Sequence, residues 1–336
     1  MIFVTGGTGL LGSYILLKLS NLDIQFVALK RKSSCLSVTE KIFKKYDAKD
    51  AFKNIKWVEG DITEIPSIEE AIQDCEYIIH AAAIVSFHKE DVEKIQKINI
   101  EGTENIVNVA IAKKIKKICY ISSVAAIGKS LTSEIVDETC YFKVNKNESN
   151  YAISKYYAEQ EVWRASQEGV DVVILNPSII LGPGDWNKGS SKIFDRVYRG
   201  LNFYTTGKSG YVDVIDVAHC AINLLQSNII NERFIINSEN LRYQDVLNIM
   251  SEKFNRPYPR IKVNKFIKEV AWIIESIKSL LTNQAPLITK ETLQMSMSNN
   301  EYSSRKIQKH LAYKFKPIQE SIEEYCEWYI SELRVN

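Results

Sequence analysis

The sequence predicts an α/β protein, with a doubly wound parallel sheet and a smaller, mainly helical second lobe. Two observations support this fold class. Short apolar runs rich in β-branched residues alternate with helical patterns, and a glycine-rich turn directly follows the first of these runs. Alternating strands and helices need crossover connections, which produce a parallel sheet covered by helices on both faces.

The predicted elements keep this alternation as far as residue 176. Strands are predicted at 2–5, 24–29, 55–60, 77–82, 118–122, 170–176 and 233–237, with helices between them at 10–20, 67–74, 91–113 and 149–168. A Gly/Pro-rich loop, LGPGDWNKGSS, then follows, and beyond the last strand the chain is mostly helical in pattern. We therefore predict one domain of residues 1–177 plus 208–237 and a second lobe of residues 178–207 plus 238–336.

The composition is that of an ordinary globular protein. Of the 336 residues, 45% are hydrophobic and 25% are charged, and the net charge of +2 gives no reason to expect nucleic acid as a partner. The six cysteines include no Cys-x-x-Cys pair, and the four histidines have no metal-ligand spacing. We therefore predict reduced cysteines, a cytoplasmic location and no metal site.

The sequence also predicts no transmembrane segment. Its first strand runs straight into the glycine-rich turn, so we expect no secretory leader. The nearest approach to a membrane-length apolar run is 266–281, where charged residues recur at helical intervals. This pattern predicts an amphipathic helix at 264–281 that packs on its own domain, with a membrane-surface helix or a substrate lid as alternatives.

The glycine-rich turn, VTGGTGLLGSY, has the form of a phosphate-binding turn. Glycines 6, 9 and 12 stand directly after the first strand and at the start of a helix. They permit a tight turn, an unobstructed backbone and a close helix–strand crossing, while the helix N-terminus favours an anion. We predict a Rossmann-type dinucleotide site in the first domain, with contacts from Gly6, Thr8, Gly9, Leu10, Leu11 and Gly12.

The end of the second strand indicates which dinucleotide binds. An acidic residue there would hold the ribose diol of NAD, but the sequence reads ALKRKSS and has no acid. Cations and hydroxyls suit a 2′-phosphate, so we predict NADP(H) over NAD(H), held by Arg31 and Lys32. The alternative is a solvated basic turn. Asp61 and Ile62, after the third strand, are predicted to contact the adenine, with a common strand-ending Gly-Asp turn as the alternative.

Several motifs in a fixed order resemble the extended short-chain dehydrogenase/reductase superfamily, which is epimerase/dehydratase-like. They are TGGTGLLG (5–12), GDI (60–62), HAAA (80–83), NIEGT (99–103), YISS (120–123), YAISK (151–155), NPSIILGPGD (176–185) and VDVIDVAHC (212–220). The tail at 288–329 is similar to the dihydroflavonol reductase and 3-beta-hydroxysteroid dehydrogenase-like group. The resemblance covers nearly the whole chain.

The resemblance implies a catalytic set of Ser123, Tyr151 and Lys155, with Asn99 in support. Ser123 ends the fifth strand, at the edge where open α/β sheets bind ligands. Lys155 lies one helical turn after Tyr151, so we expect its charge to lower the phenol pKa and its ammonium to hold the nicotinamide ribose. The alternative for Asn99 is a helix cap.

The resemblance also implies cofactor contacts on other strand ends. Besides Tyr151 and Lys155, it places Ala81, Ala82, Ala83, Pro177 and Ser178 against the cofactor. His80, which precedes the three alanines, is expected to be a strand-end histidine near the cofactor rather than a general base.

Position in the fold singles out one Tyr-x-x-x-Lys pair from five. The pairs are Tyr14/Lys18, Tyr151/Lys155, Tyr204/Lys208, Tyr258/Lys262 and Tyr302/Lys306. Only the second falls on a predicted helix between the fifth and sixth strands, downstream of a serine at a strand's carboxyl end. Spacing alone would not distinguish it from the others.

Within the family, the residues after Ser123 favour one reaction. Dehydratases usually have an acid there, but Val124 follows; epimerases often have a tyrosine before the next glycine, but Ile127 stands there. We therefore predict an NADP(H)-dependent oxidoreductase that interconverts a carbonyl and a secondary alcohol on a small hydrophobic, phenolic or steroid-like substrate. A nucleotide-sugar epimerase and a non-catalytic NAD(P)-binding regulator remain alternatives. The resemblance also implies a homodimer, formed through the helices at 91–113 and 149–168.

Overall fold

The computed structural model describes residues 1–129, 135–145, 148–263 and 290–334. The predicted amphipathic helix at 264–281 lies outside the described residues. The main feature is a seven-stranded parallel sheet in the order β3-β2-β1-β4-β5-β7-β11. Its strands are β1 Ile2–Thr5, β2 Phe26–Lys30, β3 Lys56–Glu59, β4 Tyr77–His80, β5 Lys117–Ile121, β7 Asp171–Pro177 and β11 Glu232–Ile236.

Helices cover both faces of this sheet, as the fold-class prediction requires. They are α1 Leu10–Asn21, α2 Ser37–Lys45, α3 Lys49–Lys53, α4 Ile65–Ala71, α5 Val92–Ile95, α6 Gly102–Ala112, α7 Asn150–Gln167 and α9 Val214–Gln226. One apolar core lies under α1 and α9, and a second lies under α6 and α7. Burial on both faces explains why the strands are nearly continuous apolar runs. The predicted doubly wound parallel sheet is confirmed.

Smaller sheets accompany the main one. A three-stranded sheet joins β8 Ile179–Leu181, β10 Lys208–Asp213 and β12 Glu239–Arg242, with β10 parallel to β8 and antiparallel to β12. Two short pairs complete the strands: β6 Ile135–Val136 with β14 Glu301–Tyr302, and β9 Phe203–Tyr204 with β13 Ile261–Lys262. The remaining helices are α8 Lys192–Tyr198, α10 Tyr243–Lys253, α11 Lys290–Met297, α12 Arg305–Leu311 and α13 Ile318–Leu333.

A third apolar core joins α8, α10 and α13 around β8 and β10. Buried Asp213, at the end of β10, ties this core to the last helix by accepting hydrogen bonds from Ser321 and from Tyr325. The described residues around this third core are thus mainly helical about a small sheet. The division of the chain into two domains remains a prediction.

Two local features differ from the predicted elements. The helix predicted at 91–113 is interrupted, because a π-helical turn at Gln96–Glu101 separates α5 from α6. Helices α2 and α3 fill the connection between β2 and β3, where no helix was predicted. Two apolar residues of α2, Ile42 and Phe43, are buried in the core that lies under α1 and α9. The many lysines of α2 made its short apolar face difficult to recognise in the sequence.

Candidate active site

The glycine turn packs tightly against the neighbouring strand end. Gly6 has a φ of +75°, and a Cβ there would lie 2.6 Å from the carbonyl carbon of Ala81. A Cβ on Gly12 would collide with the Gly6 carbonyl oxygen. Gly9 precedes the first residue of α1, and its own carbonyl accepts a hydrogen bond from Ser13 Oγ at 2.7 Å. Only glycine fits the closest of these approaches, and the turn presents bare backbone at a helix N-terminus.

The other residues predicted in the turn flank this backbone. Thr8 is half-buried, Leu10 begins α1, and Leu11 is buried in the main core. The Leu10 side chain reaches across to Gly184, where a Cβ would lie 3.0 Å from its Cδ1. The loop after β8 therefore packs against the first residue of α1, next to the turn.

The predicted adenosine end lies beside the turn. Arg31 and Lys32 are exposed, and Ser34 Oγ accepts a hydrogen bond from the Arg31 backbone N–H at 3.1 Å. In helix α2, which follows, Thr39 Oγ1 donates to the Gly7 carbonyl and lies 2.9 Å from Ser13 Oγ. The basic loop is thereby anchored next to the phosphate turn.

Asp61 and Ile62 lie at the end of β3, one strand beyond. The Asp61 carboxylate accepts hydrogen bonds from the backbone N–H and the hydroxyl of Thr63, both at 3.0 Å. Ile62 is buried, and its side chain lies where a Cβ on Gly102 would be. Asp61 Oδ1 therefore closes its own turn, while Ile62 packs beneath α6.

Ser123 and Tyr151 come together at the carboxyl edge of the sheet. Ser123 lies two residues after the end of β5, and its Oγ accepts a hydrogen bond from the Ala125 N–H at 3.1 Å. Tyr151 is the second residue of α7, whose N-cap Ser149 accepts from the Ala152 N–H. Burial raises the pKa of the Tyr151 phenol, and hydrogen bonding to Ser123 lowers it. The two hydroxyls thus form a coupled pair.

Lys155 is fully buried and donates two hydrogen bonds to residues of β5. Its Nζ donates to the Tyr120 hydroxyl at 2.7 Å and to the Ile121 carbonyl at 2.8 Å. Burial lowers the pKa of Lys155 to about 7, and the charge of Glu159 opposes that shift. The pKa of the Tyr151 phenol is raised, mainly by burial, and its hydrogen bond with Ser123 opposes that shift. That Lys155 lowers this pKa when the cofactor is bound stays a prediction.

Asn99 is not a helix cap. It lies within the π-helical turn, where its Nδ2 donates to the Ile84 carbonyl and to Ser154 Oγ, both at 3.0 Å. Its Oδ1 accepts from the Ile84 N–H at 2.8 Å. Asn99 therefore joins the segment after β4 to helix α7, between Tyr151 and Lys155. These hydrogen bonds fit a role in holding the two segments together rather than a direct contact with a reacting atom.

His80 is a buried neutral histidine at the end of β4. Its Nδ1 lies 2.6 Å from Thr5 Oγ1, and its Nε2 lies 3.0 Å from Thr103 Oγ1. Burial lowers its pKa to about 3, and the charge of Lys155 adds to the effect. Both ring nitrogens of His80 lie within hydrogen-bonding distance of a threonine, and its pKa is low. His80 therefore connects neighbouring strand ends and is not suited to act as a general base.

The remaining predicted contacts also lie at strand ends. Ala81 and Ala82 are half-buried after β4, and Ala83 is exposed. Pro177 ends β7, and Ser178 Oγ donates to the Ile236 carbonyl at 3.3 Å. The carboxyl ends of parallel strands meet at one edge of a sheet. The predicted turn, alanine, serine and proline positions are therefore gathered at one edge.

Sequence reasoning missed a buried carboxylate behind the pair. Glu159 accepts hydrogen bonds from Ser122 Oγ at 2.7 Å and Asn176 Nδ2 at 2.9 Å, and pairs with Arg233 at 3.2 Å. Glu159 lies one turn after Lys155, on the same helix face. That spacing was the available signal, but its partners come from three other segments.

Among the described ranges, no group of three or more His, Cys, Asp or Glu side chains could hold a metal ion. No helix in that part of the chain is long and apolar enough to span a bilayer.

Known proteins resemble this chain in sequence. A model described as the NAD dependent epimerase/dehydratase family matches residues 2–236. A Synechocystis sp. protein, named provisionally as a dihydroflavonol 4-reductase, is 30% identical over 336 residues, 97% of this chain and 94% of that protein. Cinnamoyl-CoA reductase 1 of Petunia hybrida is 30% identical over 210 residues, 60% of this chain and 62% of that protein.

Solved structures resemble it in fold. The crystal structure of gox2253 superposes with a TM-score of 0.81 at 28% identity, covering 99% of this chain and 98% of that one. UDP-glucose 4-epimerase of Thermotoga maritima superposes with a TM-score of 0.78 at 19% identity, covering 99% of each chain, a likeness of fold alone. This chain therefore belongs to the NAD-dependent epimerase/dehydratase family and is an NAD(P)-dependent enzyme of the extended short-chain dehydrogenase/reductase type.

Proposed function

We propose that this protein is an NADP(H)-dependent oxidoreductase that interconverts a carbonyl and a secondary alcohol on a small aromatic or otherwise hydrophobic substrate. The observation that carries the proposal is the Ser123–Tyr151 pair. Its buried phenol lies at the sheet edge that also holds the glycine turn. A proton donor, its hydrogen-bonding partner and a dinucleotide cradle are thereby placed at one edge of one sheet.

The residues at this edge fit a nicotinamide dinucleotide. The turn at Gly6 and Gly12 has room only for bare backbone, which is the surface a pyrophosphate needs. When bound, the cofactor supplies or accepts the hydride. Lys155, with two of its three donors already used, has one N–H left for a ribose hydroxyl.

The side chains then handle the proton and the oxygen. In the reducing direction Tyr151 gives its phenolic proton to the carbonyl oxygen, which becomes the alcohol oxygen. Ser123 donates a hydrogen bond to that oxygen and stabilises the charge that develops on it. In the oxidising direction, Tyr151 takes the proton back. Asn99 holds α7 in register by bonding Ser154, which lies between the two acting residues of the helix.

The surroundings of Tyr151 favour an aromatic substrate. The Phe87 ring packs edge-on against the Tyr151 ring, with centroids 5.6 Å apart. Val85, on the same loop, is 62% exposed. Edge-to-face packing is a favoured contact for a further aromatic ring. The relatives named for cinnamoyl-CoA and dihydroflavonol reduction support the same substrate class.

The preference for NADP(H) rests on the basic loop after β2. Arg31 and Lys32 are exposed on a loop anchored beside the glycine turn. The Arg31 guanidinium can bind a 2′-phosphate through two parallel N–H groups. The loop at 31–36, between β2 and α2, contains no carboxylate that would bind a ribose diol or repel the phosphate.

The experiment is a fluorescence assay of NADPH oxidation with a panel of aromatic aldehydes and ketones. Tyr151→Phe removes the proton donor, so we expect kcat to fall by about 100-fold or more while NADPH still binds. Tyr157→Phe is the matched control, because Tyr157 is on the same helix and 44% exposed; its kcat should stay within about twofold of the wild-type value. Near-normal turnover by Tyr151→Phe would contradict the proposal.

The same assay separates the alternatives. Net oxidation of NADPH with stoichiometric alcohol indicates a reductase. Isomerisation of a nucleotide sugar without net change in the cofactor indicates an epimerase. Tight binding of NADPH without either reaction indicates a regulatory protein.

A further inference from the structure

Tyr120 is a buried strand residue whose hydroxyl faces the active site. It lies in β5, three residues before Ser123, and is 1% exposed. Its hydroxyl accepts a hydrogen bond from Lys155 Nζ at 2.7 Å, and the same Nζ lies 4.4 Å from the centre of its ring. Tyr120 therefore offers Lys155 both an oxygen acceptor and a π-face.

The Tyr120 ring is held from its other side. The His80 imidazole stacks on it at 5.5 Å, with an angle of 28° between the planes. The Thr103 side chain hydrogen-bonds to the Tyr120 phenol and also lies 3.0 Å from His80 Nε2. Thr103 in turn donates to the Asn99 carbonyl at 2.6 Å. Tyr120 is thus fixed by residues of β4 and of the first turn of α6.

This arrangement restricts the direction of the Lys155 ammonium. One N–H points to the Tyr120 oxygen and another to the Ile121 carbonyl, so the third N–H has one direction left. An apolar side chain would fill the position of Tyr120 equally well in a sheet core. A hydroxyl is needed at that position only if its hydrogen bond with Lys155 has a function.

We propose that Tyr120 is a positioning residue of the reaction, whose hydroxyl keeps the buried Lys155 side chain charged and directed toward the cofactor. The proposal rests on the proposed function, in which Lys155 holds the nicotinamide ribose. His80 and Thr103 contribute to this positioning because they fix the ring and the hydroxyl of Tyr120.

In this proposal the charge of Lys155 depends on its hydrogen bond to Tyr120. The titratable groups that interact with Lys155 are Tyr120 from β5, His80 from β4 and Glu159 from α7. Burial brings the pKa of Lys155 to about 7, so the ammonium is lost as the pH rises through neutrality. Without the Tyr120 acceptor the ammonium is less stable, and its loss moves to lower pH.

The test compares Tyr120→Phe with Tyr211→Phe. Tyr211 is an equally buried tyrosine whose hydroxyl has no hydrogen-bond partner among the described residues. For Tyr120→Phe we expect the Kd for NADPH to rise about tenfold, as the loss of a charged hydrogen bond implies. The alkaline limb of the kcat/KM profile should move down by about one pH unit, with a matching fall in the Lys155 pKa. Tyr211→Phe should change none of these quantities.

The Lys155 pKa is measured by NMR of ¹³C-labelled lysine, with Lys155→Met to assign the signal. This readout and the NADPH titration need no substrate. If Tyr151→Phe remains active, the proposed function fails, but the Lys155 pKa still reports on Tyr120. If Tyr120→Phe binds NADPH normally and leaves the Lys155 pKa unchanged, the role of Tyr120 is refuted.

A second variant covers the case in which Tyr120→Phe does not fold. Thr103→Val keeps the Tyr120 hydroxyl but removes its second partner. We expect smaller changes in the same direction in the NADPH Kd and in the Lys155 pKa. A wild-type Lys155 pKa in Thr103→Val, with no folded Tyr120→Phe, would reject the proposal.

Discussion

The glycine turn at 6–12 and the basic loop at 31–34 are proposed to hold two ends of one cofactor, but they are built differently. In the turn, backbone packs on backbone, and a Cβ on Gly6 would lie 2.6 Å from the Ala81 carbonyl carbon. In the loop, the long side chains of Arg31 and Lys32 are exposed, and no ion pair within the described residues involves them.

The difference separates two tasks. The turn is part of the core, since hydrogen bonds of Thr5 and His80 connect it to the end of β4. Binding of any dinucleotide therefore depends on the fold itself. The loop only presents charges, so the choice between NADP(H) and NAD(H) can change without disturbing the fold. Changes at the closely packed glycines of the turn should therefore affect stability, and changes in the loop should affect cofactor preference alone.

The largest expected effect comes from Gly12→Ala. Its Cβ would collide with the Gly6 carbonyl oxygen, so the turn must move, and we expect a loss of more than about 3 kcal/mol in the free energy of unfolding. Gly9→Ala is the matched control, because its Cβ would lie 3.4 Å from that same oxygen and Gly9 has an ordinary φ of −88°. Denaturant unfolding should show a near-normal Gly9→Ala protein, and equal losses in the two variants would contradict this account.

His80 should give a large effect that depends on pH. Its folded pKa of about 3 lies below the unfolded value of about 6.5, so the stability that its neutral ring provides is complete above pH 6.5 and is lost as the pH falls toward 3. The change amounts to about 5 kcal/mol at most. His80→Asn should be less stable at pH 7 but should have a flatter stability profile between pH 6.5 and 3.

Thermal or urea unfolding across this pH range measures the slope for His80. Parallel profiles for the wild-type protein and His80→Asn would show that the ring has the same pKa in the folded and unfolded states. In that case, His80 would not be the neutral brace beneath the turn.

The smallest expected effect comes from Arg31→Ser. Removing the guanidinium should raise the KM for NADPH about tenfold, as expected for one charge-assisted contact to a phosphate. The KM for NADH should change by less than about twofold, because NADH has no 2′-phosphate. The melting temperature should stay constant, since Arg31 is exposed. A wild-type preference for NADH would contradict the assignment of the loop.

Much of the fold could be predicted because its signals are local. All seven strands of the main sheet were expected from apolar β-branched runs, and each is present with small shifts at its ends. The turn at Gly6 and Gly12 was predictable because backbone contact demands glycine. Ser123 and Tyr151 were implied by the family resemblance, and their order along the predicted strands and helices indicated the sheet edge they share.

The rest depended on contacts between distant segments. The bond from Lys155 to Tyr120 joins residues 35 positions apart, and Tyr120 reads in sequence as a plain strand residue. The ion pair of Glu159 with Arg233 spans 74 positions. The sheet of β8, β10 and β12 was missed because its strands are short and come from three separated segments.

The central claim is that Tyr151 and a nicotinamide cofactor reduce a carbonyl. The most direct test uses NADPH deuterated at the transferring position of C4, followed by mass spectrometry of the product. For the wild-type protein we predict an alcohol that carries the deuterium at the former carbonyl carbon, and for Tyr151→Phe little or no such product. An isomerised product without deuterium, or full labelling by Tyr151→Phe, would contradict the account.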